Sequence, residues 1–327
     1  MASSDEVMGE MLEELAQSLD GIQSPNSLMS FLGQATVLWR YSASNIAMLA
    51  MQGKARGLQP TLVAGFNEWK REGRTPRTGQ RGLKILVPTA SRRYELKTVF
   101  DVTQTEGTPI ALPSTQLPEA VAAATLYSRL AELCEDLGFE VRESSIQRGC
   151  NAVITMYDDR LIIIDNRLPL TERIEVLAHN YGHAALHGPD DPLSVKYADG
   201  AEHHGLAEVE AEAVAYVLLK AHGIDSTMRS SEYLAGWSDA VLEAAPLLSK
   251  EDEPPKHSDI VGAVLSRITG ASKTALMATD PPGYGGKPAH RHLDLDAGAM
   301  PAPRRDVKTG PAVQPGRAHG IGGPATS

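Results

Sequence analysis

The chain is 327 residues long and 42% hydrophobic, with 41 acidic against 31 basic side chains and a net charge of -10. No apolar run approaches the ~20 residues a membrane-spanning helix needs, and a uniformly basic nucleic-acid binder is excluded, so any nucleic-acid contact has to be local. Two cysteines, Cys134 and Cys150, are too few for a disulfide framework or a thiolate metal site and are expected to pack as small apolar groups. The acidic stretch Met1 to Gly21 has neither the basic flank nor the apolar centre of a secretory signal, which makes the cytoplasm the expected compartment.

Helical spacing of Val7, Met8, Met11, Leu12, Leu15 and Leu19 predicts a first helix, which Ser24-Pro25-Asn26-Ser27 interrupts before a second one carrying Leu28, Phe31, Leu32, Val37 and Leu38. A third helix is expected from about Asn45 to Gly53. Thr61–Gly65, Gly82–Pro88 and Thr98–Val102 are then short β-branched and aliphatic segments between Gly, Pro and basic turns, and are expected as strands. Thr105 to Pro118 has the composition of a linker. From Glu119 the apolar spacing predicts another helix ended by Gly138, followed by strands at Phe139–Arg142 and Asn151–Ile164 with a turn at Asp158-Asp159. Thr171 is the expected cap of the next helix; further helices are expected at about Leu206–Ala221 and Ser231–Leu248, and the chain from residue 280 has the Pro/Gly-rich composition of a disordered tail.

Between Lys70 and Lys97 nine basic residues (Lys70, Arg71, Arg74, Arg77, Arg81, Lys84, Arg92, Arg93, Lys97) are opposed only by Glu72 and Glu95. That local excess is the nucleic-acid signal in an otherwise acidic chain.

The second signal is the sequence HNYGH. His179 and His183, four apart on a predicted helix, place two imidazoles on one face where they can share a metal. A third ligand has to come from a following helix, and Glu208, Glu210 and Glu212 are the candidates. Glu210 shares its face with Ala207, Ala213, Val214 and Val217, whereas Glu208 and Glu212 form an i, i+4 pair expected to be solvated, so Glu210 is the preferred ligand and zinc the expected cofactor. His187 is expected at the helix end, and His203 and His204 in a polar loop. In the peptidase motif HExxH the glutamate after the first histidine is the general base. Here that position is Asn180, which has no proton-accepting carboxylate, so no catalytic residue is assigned and little peptidase activity is expected.

Trp39-Arg40-Tyr41-Ser42 to Asn45, Val63-Ala64-Gly65-Phe66 with Trp69, Arg77 to Gly82 leading into Leu83–Pro88, and Val99 to Thr105 together resemble the N-terminal DNA-binding domain of the ArdC antirestriction family. Leu177-Ala178-His179, His183, Glu210-Ala211 and Tyr233 to Trp237 resemble the zincin-like metallopeptidase domain of the ImmA/IrrE type that accompanies it. The resemblance implies single-stranded DNA as partner, metal at His179, His183 and Glu210, and a looser link to antirestriction. Single strands are bound by basic grooves with aromatic stacking faces. Arg74, Arg77, Arg81 and Lys84 are therefore the expected phosphate contacts, and Tyr41 and Trp69, with Phe66 nearby, the stacking candidates.

The expected fold class is α+β: a helical N-terminal region with a small β-sheet at 1–110, a linker at 111–118, a zincin-like α+β domain at 119–250, a weakly helical extension at 251–279 and a disordered tail at 280–327. The expected function is that of a single-stranded-DNA-binding accessory protein with a zinc-binding, catalytically impaired second domain. Two alternatives stay open: an active zinc metallopeptidase with an atypical general base, and an adaptor that binds a protein partner.

Overall fold

The computed structural model describes residues 4–91, 93–110, 120–146, 153–156, 159–188, 205–248 and 255–281. The expected linker at 111–118, Arg92, Cys150, Asp158, His203, His204 and all but the first two residues of the expected tail lie outside them. The fold is α+β. Three helices come first: α1 (Ser4–Asp20), α2 (Pro25–Val37) and α3 (Ala43–Ala55). Ser24 to Ser27, expected as a break, is instead the start of α2. Ser24 and Ser27 form a reciprocal capping box, and Pro25 sits in the first turn, where its missing N–H leaves no hydrogen bond unmade.

The next elements are β1 (Val63–Gly65), α4 (Phe66–Arg71), β2 (Arg74–Pro76), β3 (Leu83–Pro88), β4 (Tyr94–Asp101) and β5 (Thr105–Gly107). β1, β4 and β3 form an antiparallel sheet in that order, and β2 pairs with β5, which occupies residues expected to begin the linker. The open edge of β3 is closed by side chains of α3. The Asn45 amide donates to the Leu86 carbonyl and accepts from the Leu86 N–H, both at 2.8 Å, and Gln52 makes the same pair with Lys84, both at 2.8 Å. Two carboxamides, seven residues apart on one helix face, thus stand in for a neighbouring strand.

The second half contains α5 (Ala120–Asp136), β6 (Glu140–Ser144), β7 (Val153–Met156), β8 (Leu161–Asp165), α6 (Leu170–Leu186), α7 (Leu206–Ala221), α8 (Thr227–Leu234), α9 (Trp237–Leu248) and α10 (His257–Thr279). β8 is central, parallel to β6 and antiparallel to β7. Pro169, not Thr171, precedes α6, and Thr171 lies inside its first turn. The helix expected over Ser231–Leu248 is divided by Ala235-Gly236 into α8 and α9. The extension expected to be weakly helical is α10, a 23-residue core helix that buries Ile260, Val261, Val264, Leu265, Ile268, Ala275 and Leu276. Small residues dilute its apolar stripe in the sequence but allow close packing.

α7 is the centre of this half. Of its 16 residues only Lys220 is exposed. One apolar cluster runs through both halves, from Leu15, Leu28 and Met48 through Leu130, Ile164 and Leu177 to Val214, Trp237 and Leu265. α1 and α3 pack on α10, and α2 packs on α7. Polar bonds cross the same seam: Trp237 Nε1 donates to the Ile22 carbonyl at 2.8 Å, and Lys273 Nζ to the Arg40 carbonyl at 3.0 Å.

Candidate metal centre and basic face

α6 and α7 touch closely because Gly182 has no side chain: a Cβ there would lie 2.7 Å from both Cα and O of Ala211. That approach brings Glu208 of α7 against the histidines of α6. His179 Nε2 and His183 Nε2 are 3.0 Å apart, and the Glu208 carboxylate oxygens lie 3.3 Å from the first and 3.2 Å from the second. His179, His183 and Glu208 are the group of ligand-type side chains, among the described residues, close enough to hold one metal ion. Donor atoms separated by these distances suit bonds of ~2.0–2.2 Å to a single cation.

Glu210, the ligand expected from the sequence, is placed elsewhere. It is fully buried, receives two hydrogen bonds from the Arg267 guanidinium at 2.7 and 3.0 Å, and lies 3.0 Å from His187 Nε2. Glu212 lies behind His179: its Oε2 is 2.8 Å from His179 Nδ1, and its other oxygen accepts from Ser230 at 2.5 Å. Choosing Glu210 by elimination presumed a solvated face for Glu208 and Glu212, and a helix buried all round has none.

The remaining ring nitrogens are held from behind. Glu212 orients His179, and His183 Nδ1 lies 3.1 Å from His187 Nδ1. His187, expected only as a helix end, is the C-cap residue of α6 and is buried. Its place in the series His179, His183, His187, each one turn apart, was the available signal. Burial disfavours charge on His179, but Glu208 and Glu212 outweigh it and raise its pKa to about 9. Burial, with His179 and His187 beside it, lowers His183 to about 4 against the pull of Glu208. Burial also works against the Glu208 carboxylate, yet its hydrogen bonds with the two histidines hold its pKa below the usual range. At neutral pH His179 is therefore protonated, and a cation held between its Nε2 and Glu208 would displace that proton.

Asn180 is buried, and its Nδ2 donates to the Val176 carbonyl one turn back at 2.8 Å. Tyr233 of α8, which is exposed, sets its ring 5.7 Å from that of His179.

The basic residues of the first half divide into two sets. Arg74 is a staple, donating to Thr105 Oγ1 at 2.8 Å, to the Thr105 carbonyl at 3.0 Å and to the Thr108 carbonyl at 2.5 Å. Arg77 and Arg81 are exposed on the turn into β3, which Gly79 enters with a φ of 84°. Arg77 donates to the Thr103 carbonyl, while Arg56 and Gln104 both donate to the Arg81 carbonyl at 2.9 Å and fix the turn. Lys84 is partly buried and donates to Thr98 Oγ1 at 2.7 Å.

Tyr41 and Trp69 do not offer stacking faces. Tyr41 is 5% and Trp69 0% exposed, and both bond to backbone carbonyls, of Val63 and Phe100, at 2.8 Å. Large aromatic rings are the natural filling of so small a core. Phe66 is instead 51% exposed. It follows Gly65, which lies across β4 from Leu83 in the register Gly65, Val99, Leu83, so Phe66 and the Arg77–Arg81 turn belong to the same end of the sheet.

Residues 2–112 match the family model of the N-terminal domain of anti-restriction factor ArdC, and residues 134–234 match that of the IrrE N-terminal-like domain. An uncharacterized protein of Bacillus anthracis is 21% identical over 287 residues, covering 71% of this chain and 46% of that protein. The chain thus spans less than half the length of that curated relative. Among solved structures, the metal-free crystal structure of the antirestriction ArdC protein from the R388 plasmid aligns with a TM-score of 0.41 at 16% identity, covering 73% of this chain and 85% of that one. Its Mn(II)-bound structure aligns at 0.40 and 16%, covering 73% and 89%.

Proposed function

The chain belongs with the ArdC-like antirestriction proteins, and from that premise we infer a single-stranded-DNA-binding accessory protein whose second half holds zinc without acting as a peptidase. One observation carries the reading: three ligand-type side chains converge while the base position beside them is a buried amide bonded to its own helix.

Two imidazoles and a carboxylate in a mostly buried pocket are a donor set suited to zinc. A zinc ion bound by His179, His183 and Glu208 supplies Lewis acidity and ties α6 to α7. The chain's own residues do the rest: Glu212 and His187 orient the rings, and Gly182 lets the helices meet. None of them accepts a proton in the place of the missing base. Glu210 is occupied by Arg267, and Glu212 by His179 and Ser230. Absence of a positioned base costs ~100- to 10,000-fold in rate. The test is proteolysis by Asn180→Glu: new cleavage that is lost again in Asn180→Glu/His183→Ala supports the reading, whereas cleavage by the unaltered protein that His183→Ala abolishes overturns it in favour of an active peptidase.

For DNA, Arg77 and Arg81 supply phosphate contacts and Phe66 the stacking face, in place of the buried Tyr41 and Trp69. No helix among the described residues is long and apolar enough to cross a membrane, and the site of action we propose is the cytoplasm. Anisotropy titrations with matched single-stranded and duplex oligonucleotides at two salt concentrations test this. Salt-sensitive preference for single strands, weakened by Arg77→Ala/Arg81→Ala, is expected. No binding to either form overturns the DNA role and leaves the adaptor.

A further inference from the structure

We propose that His187, Glu210 and Arg267 form an outer relay that sets the tautomer of His183, so that the C-terminal helix α10 is a working part of the metal centre; this rests on the zinc reading of the same site. The relay follows from donors and acceptors taken in order. Arg267 offers only donors and gives two hydrogen bonds to Glu210, which is fully buried and accepts. Glu210 lies 3.0 Å from His187 Nε2, so that nitrogen carries the hydrogen. In a neutral ring the Nδ1 of His187 is then bare. It lies 3.1 Å from His183 Nδ1, which therefore carries a hydrogen and donates it. The remaining nitrogen, His183 Nε2, is left as a lone pair, and it is the atom beside His179 Nε2 and Glu208. On the other side of the site Glu212 does the same for His179 in one step. With a cation in place of the His179 proton, both inward nitrogens would face it as lone pairs, and the carboxylate expected from the sequence as a ligand acts two hydrogen bonds further out.

A purely structural ion pair between Glu210 and Arg267 accounts for the burial of the carboxylate but not for His187 interposed between it and the ligand. The relay also crosses three helices. His187 ends α6, Glu210 lies on α7 and Arg267 on α10, where it also donates to the Leu186 carbonyl at 3.0 Å.

The experiment uses the full chain, stripped with a chelator and titrated with zinc against a chromophoric competitor, with cobalt(II) absorption as a report on ligand geometry. His187→Leu removes both hydrogen bonds, and His187→Gln can keep both, its amide accepting from His183 and donating to Glu210. Expected are a ~10- to 100-fold loss of zinc affinity and a changed cobalt spectrum in His187→Leu, with affinity and spectrum restored in His187→Gln. Arg267→Met, at a partly exposed position, gives a smaller loss in the same direction and serves if the leucine variant does not fold. Wild-type affinity and spectrum in His187→Leu, or in Arg267→Met where the leucine variant does not fold, overturns the relay alone. Failure of the unaltered protein to take up either metal overturns the zinc reading and the relay with it.

Discussion

A methyl group at position 182 would lie 2.7 Å from the Cα and O of Ala211, and since both are backbone atoms neither can turn aside. Gly182→Ala is therefore expected to destabilise the metal-free protein by ~1–3 kcal/mol and to weaken zinc binding, checked by thermal melting and competition titration. His222 gives a test in pH. It is buried, its Nε2 lies 2.9 Å from Thr279 Oγ1, and burial lowers its pKa to about 4. The unfolded chain holds that proton up to about 6.5, so stability from this group is complete above 6.5 and is lost as pH falls towards 4, by up to roughly 3 kcal/mol. His183 shifts in the same direction, so His222→Gln should flatten part of the acid limb of the stability curve, and an unchanged limb by chelator-treated denaturant titration refutes the assignment. At this scale the sequence singled out the two histidines that converge on Glu208 and the asparagine that follows the first of them. It misdirected on Glu208, because three glutamates spaced two apart on one helix differ only in which neighbours surround them, and those neighbours come from other helices.

Among the elements, α3 does more than fill the core. Asn45→Ala would leave the buried N–H and C=O of Leu86 without their side-chain partner, at a cost of ~1–3 kcal/mol, and would reopen the edge of β3. Lower thermal stability with added self-association, seen by melting and light scattering, is the expected outcome. Most helices were legible from apolar spacing, α7 nearly to the residue. The misses have local causes. Ser24-Pro25 has the composition of a turn but the geometry of a cap, α10 hides its stripe among small residues, and β2 and β5 are too short to show alternation. α4 is short as well, and Phe66, which opens it, is exposed where the apolar pattern gave no reason to expect it.

Over the whole molecule the two matched segments do not behave as beads on a string, since one core joins them and α2 of the first packs on α7 of the second. Zinc binding should therefore protect more than its own helices. Hydrogen exchange is expected to slow in α1 and α2 as well as in α6 and α7 when zinc is added, whereas protection confined to α6 and α7 would mean the halves open independently.

The hydrogen bond from Trp237 to the Ile22 carbonyl bears on how such a chain can be rearranged by recombination. A crossover placed between the two matched segments would separate an indole from the carbonyl it was shaped to meet and give each offspring a raw apolar flank. A replacement for either half would therefore have to present a matching surface where α1 and α2 meet α7 and α10.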